Sequence, residues 1–350
     1  MTTKLITLPI KPLAPLGLNL QGSGDTTEPG WARQAFNLVY GDTGELQVRE
    51  GCSALWASPT AWSSLLSDAQ IHKLHCYIDT SGYSRIVGLH NSAGSGTLSA
   101  FEVYGGVAAS KSGSTFTKAI DGYGENVSPQ FINFNGKCIV CNLGDELAVK
   151  SGSGNFADIS LTGSAQPTTA TSAILSAYGR VWALDGQTLK YSDLLDETTW
   201  DGSYSLAEYW NTGTDIGVGL AEFNGNIIVF GKSNILIYDA SLGPDNLVKV
   251  ESIGGIGCTH KETIQQVGDD IWFLAKNGLQ SLSRTIVQKS MPTSFISNNI
   301  NDFLLSKIDA VGQLTGVISS TYCPLRNFYI LTISQSGKNS SDIFIFDTRT

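Results

Sequence analysis

Residues 223–239 read Phe-Asn-Gly-Asn-Ile-Ile-Val-Phe-Gly-Lys-Ser-Asn-Ile-Leu-Ile-Tyr-Asp, two apolar runs parted by polar turn residues. A two-residue hairpin turn needs positive φ at both central positions, which Asn tolerates and Gly adopts freely. Asn224-Gly225 therefore predicts a tight turn into an apolar strand, and Lys232–Asn234 a second gap before another strand. The same order recurs from Phe134 to Val149, from Tyr178 to Tyr191 and from Val267 to Leu282. The central runs Cys138–Cys141, Ile227–Phe230 and Ile271–Leu274 are apolar throughout instead of alternating. A sheet with one wet face alternates, whereas a strand covered on both faces need not. Runs this short between turn residues do not suit a buried helix.

Taking Cys138, Val181, Ile227 and Ile271 as anchors, the units are spaced by 43, 46 and 44 residues. Repeats of about 40–45 residues with four short strands each are propeller periodicity. The expected fold is all-β: a β-propeller of six blades of four antiparallel strands over residues 31–350, after an extended N-terminal arm, 1–30. Blades are predicted to begin near residues 70, 129, 171, 215, 259 and 314. In the first, strands are predicted at Ile71–Ile78, Ser84–His90, Thr97–Val103 and weakly at Thr115–Ile120. In the fifth, Ile300, Phe303, Leu304 and Ile308 stand at helical spacing, predicting a helix over Ser297–Ile308. The sixth offers three strands, Gly316–Tyr322, Asn327–Ile333 and Asp342–Asp347. Its fourth is expected from Glu45–Trp56, which would leave no open edge; residues beyond Thr350 are the alternative source. Pro9, Pro12, Pro15 and Pro29 mark the arm, which is expected to lie on a neighbouring chain and not on a core of its own.

Composition sharpens this picture. With 38 Gly and only 15% charged residues, the chain is turn-rich and less charged than average. A net charge of −9 argues against a surface that grips nucleic acid, though not against one past which nucleic acid slides. The N-terminal residues lack an unbroken apolar stretch and a small-residue cleavage site, so no secretion signal is expected. No apolar run approaches the length of a membrane span. Six cysteines in a chain this long do not suggest a disulfide framework and are expected to be reduced, as in a cytoplasm.

Several clusters invite a chemical reading. Cys138 and Cys141 have the spacing of a metal knuckle, but no second pair follows, and a strand sends them to opposite faces; they are expected to be small buried hydrophobes. His72, His75, Cys76 and His90 could ligate a metal, yet His72 and His75 fall on opposite faces of one strand. Asp193, Asp196 and Glu197, the pair Asp269-Asp270, and Asp145-Glu146 could supply the two carboxylates of a glycosidase. Each sits in a predicted turn, where Asp is expected for backbone hydrogen bonding. Tyr191–Trp200 vaguely resembles the Asp-box turn of sialidases without its Gly. There is no nucleophile elbow, phosphate loop or zinc-binding HExxH. No catalytic, cofactor-binding or metal-binding residue is assigned, no cofactor is expected, and the chain reads as a non-enzyme.

Three stretches add a family likeness. Trp31–Gly51, Gly179–Trp200 and Asn277–Leu282 with the helix after it resemble, in that order, the tail nozzle (tail hub) proteins of short-tailed bacteriophages. The resemblance spans roughly residues 31–350 and implies a propeller-based structural protein of the virion tail, made in the host cytoplasm. It further implies a homo-oligomeric ring, a hexamer, below the portal and its adaptor and in contact with tail fibres or spikes. Such a ring extends the DNA exit channel and helps retain the genome, which passes without specific binding and without membrane insertion. The alternative is a propeller that binds or hydrolyses carbohydrate, with Trp200 and Trp210 as exposed aromatic platforms.

Overall fold

The computed structural model describes residues 16–21, 30–40, 46–48, 69–92, 97–102, 116–117, 128–207, 210, 215–289, 295–312, 316–335 and 341–349. The protein is all-β in character, built of consecutive antiparallel sheets in which each strand pairs with the next in sequence. A short hairpin, β1 (Leu38–Tyr40) with β2 (Leu46–Val48), comes first. The first sheet holds β3 (Ala69–Ile78), β4 (Ser84–Ser92), β5 (Thr97–Glu102) and β6 (Phe116–Thr117). The second holds β7 (Gln130–Phe134), β8 (Lys137–Cys141), β9 (Ala148–Ser151) and β10 (Ala157–Asp158). The third holds β11 (Thr171–Ala177), β12 (Arg180–Asp185), β13 (Thr188–Tyr191) and β14 (Gly202–Ser205). The fourth holds β15 (Gly217–Phe223), β16 (Asn226–Gly231), β17 (Asn234–Asp239) and β18 (Val248–Gly254). The fifth has three strands, β19 (Gln265–Val267), β20 (Asp270–Ala275) and β21 (Gly278–Ser281), and so has the sixth, β22 (Gly316–Cys323), β23 (Phe328–Gln335) and β24 (Ser341–Asp347).

Turn chemistry sets these hairpins. Asn135-Gly136 and Asn224-Gly225 both have positive φ, 48° and 71° in the first and 49° and 82° in the second. That is the geometry a right-twisted two-residue hairpin demands. At the matching turn of the third sheet Tyr178 takes the Asn position, with φ 53°.

Apolar clusters lie between neighbouring sheets, and successive residues of one strand go to different clusters. Ile227 and Val229 pack toward the third sheet, with Trp182 and Leu184. Ile228 and Phe230 pack toward the fifth, with Ile271 and Phe273. Cys138 and Val140 meet the first sheet, while Ile139 and Cys141 meet the third. The continuous apolar runs are therefore strands buried on both faces. The first strands of the sheets also adjoin, β3 on β7, β7 on β11, β11 on β15 and β19 on β22.

Among the described residues no fourth strand joins β21 in the fifth sheet; the chain turns into α1 (Leu282–Gln288), capped by the Ser281 side chain accepting from Arg284 N–H. The free side of β21 is met by the loop ahead of the next helix: Ile296 N–H donates to the Leu279 carbonyl at 3.0 Å, and Leu279 N–H to Ser297 Oγ at 3.0 Å. A 3₁₀ turn, Asn298–Ile300, then leads into α2 (Asn301–Gly312). The predicted helix starts as that tighter turn and runs past Ile308; α1 has no counterpart in the sequence reading.

Two expectations change. Leu18 and Leu20 pack on the cluster between the fifth and sixth sheets, and Leu20 N–H donates to the Asn299 carbonyl at 2.8 Å. This part of the arm thus rests on its own chain, because its leucines find apolar surface beside α2; residues 1–15 lie outside the described residues. Of Glu45–Trp56, Leu46–Val48 pairs with Leu38–Tyr40 and not with the sixth sheet, and 49–56 lie outside the described residues.

Gly163 is closely constrained by neighbouring backbone. Its φ is +100°, and a Cβ there would stand 2.2 Å from the Trp200 carbonyl oxygen. Gly163→Ala is expected to lower the unfolding free energy by about 2–3 kcal/mol, read from urea denaturation. An unchanged midpoint would show that the loop relaxes freely.

Candidate functional site

One 3₁₀ turn, Lys261–Thr263, stands where the first strands come together, between β15 and β22. The Glu262 carboxylate forms an ion pair with Lys73 of the first sheet and accepts from Ser128 Oγ, just ahead of the second, at 2.9 Å. The Glu262 backbone carbonyl accepts from Ser320 Oγ of the sixth sheet at 3.0 Å. Lys261 Nζ donates to the Ser172 carbonyl of the third sheet at 2.5 Å. Tyr329 of the sixth donates its hydroxyl to the Thr263 carbonyl at 2.9 Å. One short turn is thus tied to strands distant in sequence on several sides. Gly219 lets β15 approach it, since a Cβ there would lie 2.6 Å from Ile264 Cδ1 and 3.3 Å from Lys261 Cβ.

Lys261 is almost fully buried. Burial draws its ammonium down to about 8, opposed by the nearby Cys141 thiol. Burial and the charge of Lys261 draw Lys73 down as well, while the Glu262 carboxylate against it favours the charged form. Charged groups this far from water persist only with partners.

Beside this turn opens a cleft of about 640 Å³. Leu175 and Ile264 give it apolar surface beside the polar Gln130, Ser176 and Asn224, and Glu222, Gln266 and Asp269 are exposed at it. Glu222 accepts from the Tyr178 hydroxyl at 3.2 Å. The sequence reading flagged Asp269 only as part of a turn cluster and missed Lys73, Lys261 and Glu262. Lys261 and Glu262 stand among polar residues, His260, Thr263, Gln265 and Gln266, and carry no local signal of burial.

The sequence candidates are dispersed. Cys138 and Cys141 are buried in separate clusters, and burial pushes their thiols up to about 12 and about 11. His75 stacks on Phe131 and bonds to Asn133 Oδ1 at 2.7 Å. His90 sits edge-on to Phe101, and burial lowers its pKa. Among the described residues no group of three or more His, Cys, Asp or Glu is placed to hold a metal ion. Asp196 accepts from Thr198 N–H at 2.8 Å, Asp145 from Asn142 Nδ2 at 2.6 Å, and Glu197 from Lys137. Asp270 accepts from Ser283 N–H at 2.9 Å and from the Ser281 hydroxyl at 2.5 Å. These carboxylates order turns, as Asp in turns commonly does. Trp200 and Trp210 are buried, not exposed: their indoles donate to the Glu197 carbonyl at 3.0 Å and to Gln187 Oε1 at 2.6 Å. Their apolar area belongs to the inter-sheet clusters, which removes the aromatic platforms expected of a carbohydrate binder.

No family model matches the chain, and no curated protein does. Among solved structures, a functionally unknown protein from Desulfotomaculum acetoxidans is similar at 10% identity and a TM-score of 0.41, over 61% of this chain and 69% of that one. The extracellular domain of a protein described as a one-component system of B. thetaiotaomicron is similar at 12% identity and TM-score 0.42, over 89% of this chain and 46% of that one. PorZ, a surface component of the type-IX secretion system of Porphyromonas gingivalis, aligns at 12% identity and TM-score 0.36, over 79% and 33%. The chain spans less than half the length of these last two.

A pH test follows from Lys261. Its folded-state pKa lies below the ordinary lysine value of 10.5, so between the two the unfolded chain binds more protons, and this group's contribution to stability rises with pH. The stability of the wild type relative to Lys261→Met is expected to increase by on the order of 1–3 kcal/mol from pH 7 to pH 10. Urea unfolding at both pH values measures it, and a difference that stays flat would refute a lysine charged at a cost.

Proposed function

We propose that the six sheets are the blades of one β-propeller and that the protein is a non-enzymatic, ring-forming structural component of a short phage tail, the nozzle or hub. The turn Lys261–Thr263 carries the propeller reading: a segment bound at once to the first, third and sixth sheets sits naturally on a common axis. Five consecutive apolar interfaces support the same arrangement. The tail assignment rests on the sequence resemblance and on the acidic balance of −9. Duplex DNA then passes through a lumen enclosed by several subunits, because Lys73, Lys261 and Glu262 occupy the axis of each one. A net acidic wall suits passage, since Lys and Arg contacts to phosphates would hold the DNA back. Head-to-tail contacts that close are what such a ring requires. The portal, its adaptor and the fibres or spikes are the partners this reading assigns.

Negative-stain imaging of the purified protein and of virions tests the proposal. Rings of roughly six subunits with a central opening, and the same rings in the tail, are expected. A strict monomer absent from particles would overturn it.

A further inference from the structure

The cleft beside the axial turn has no assigned occupant. Its lining is part apolar, from Leu175 and Ile264, and part polar, from Gln130, Ser176 and Asn224; the carboxylates of Glu222 and Asp269 are exposed at it, and its volume is about 640 Å³. The nearby ammonium groups are engaged elsewhere, Lys73 with Glu262 and Lys261 with the Ser172 carbonyl. Next to Glu222 stands Tyr178, and the half-bare side chains of Leu194 and Leu195, 61% and 62% exposed, lie over Gly179. The edge therefore offers negative charge beside exposed apolar groups, a combination suited to a chain segment that alternates basic and aliphatic residues.

Residues 1–15 are such a segment: Met-Thr-Thr-Lys-Leu-Ile-Thr-Leu-Pro-Ile-Lys-Pro-Leu-Ala-Pro, with Lys4 and Lys11, no acidic residue, and Leu5, Ile6, Leu8 and Ile10 between the lysines. Fully extended, fifteen residues reach about 50 Å. The segment leads into Leu16–Leu20, where Leu20 is held by the Asn299 carbonyl. Asn301, two residues on, donates to the Asn277 carbonyl in the β20–β21 turn. The cleft opens beside the β19–β20 turn, where Asp269 lies, and in an antiparallel meander successive turns lie at opposite ends of the sheet. The anchored part of the arm and the cleft thus lie toward opposite ends of the fifth sheet.

We propose that residues 1–15 of one copy dock in the cleft of a second, with Lys4 or Lys11 against Glu222 and Asp269 and the intervening aliphatic residues on Leu175 and Ile264. The contact is head-to-tail, so this inference rests on the ring reading and specifies one of the contacts that build it.

The test uses the full-length chain and analytical ultracentrifugation. K4E/K11E reverses the arm, and E222K/D269K reverses the cleft. Each variant alone is expected to self-associate at least tenfold more weakly than wild type, with unchanged circular dichroism. Equimolar mixing of the two restores assembly, because each reversed arm meets a reversed cleft and each native arm a native one. K4Q/K11Q, which removes the side-chain charge of residues 1–15 without reversing it, is expected to weaken association as well. Variants that assemble like wild type, or a mixture that stays as dissociated as its components, would overturn the arm contact while leaving the ring reading intact. A wild-type chain that is monomeric at every concentration would overturn both.

Discussion

The second strands of the second to fifth sheets, β8, β12, β16 and β20, carry apolar runs that pack on both faces, and that constraint governs the rest. At about 25 cal/mol per Å² of apolar surface, a strand such as Ile227–Phe230 left with one face in water would lose a large share of its stabilisation. A single sheet is therefore not a stable object here; it becomes one only between two others. Stability is lodged in the interfaces, as in repeat proteins where each unit contributes chiefly through its neighbours. The indole of Trp182 and the ring of Phe230 matter less to their own sheets than to the joints they fill.

Where the sheets meet near their first strands, apolar packing yields to polar joints. Glu262, Lys73, Ser128 and Ser320 tie sheets far apart in sequence through hydrogen bonds and one ion pair. Such joints are directional, whereas apolar contact is not, so they fix how the sheets are oriented as well as that they touch. A buried ion pair contributes little net stability once desolvation is counted, and losing one partner is costly. The turn is accordingly a device for specifying arrangement more than for adding stability.

The strand pattern was legible because its signals are local. Asn135-Gly136 and Asn224-Gly225 announce hairpins, and the unbroken run Cys138–Cys141 announces burial on both faces. The strands of the sixth sheet fall within a residue or two of where alternation placed them. The helix over Ser297–Ile308 was visible from spacing, but α1 was not, since its seven residues show no clear apolar face and follow directly on a strand. The turn Lys261–Thr263 was opaque for a different reason. Lys261 and Glu262 look like ordinary surface residues, and only long-range packing buries one lysine and aims the carboxylate at Lys73. Trp200 and Trp210 erred the other way, read as exposed when their neighbours in space enclose them.

The stoppered flank of the fifth sheet has a further consequence. A bare strand border invites any passing chain to add itself, and a protein gathered in many copies at one place runs that hazard continually. At β21 a carbonyl and an amide of Leu279 are already taken by Ile296 and Ser297, and Asn301 and Ser297 stand so close to Gly278 that a Cβ there would lie 2.1 Å from Asn301 Oδ1. At Leu279 an incoming chain therefore finds no free backbone group to pair with, and contact there falls to side chains, which is selective where backbone pairing would be indiscriminate.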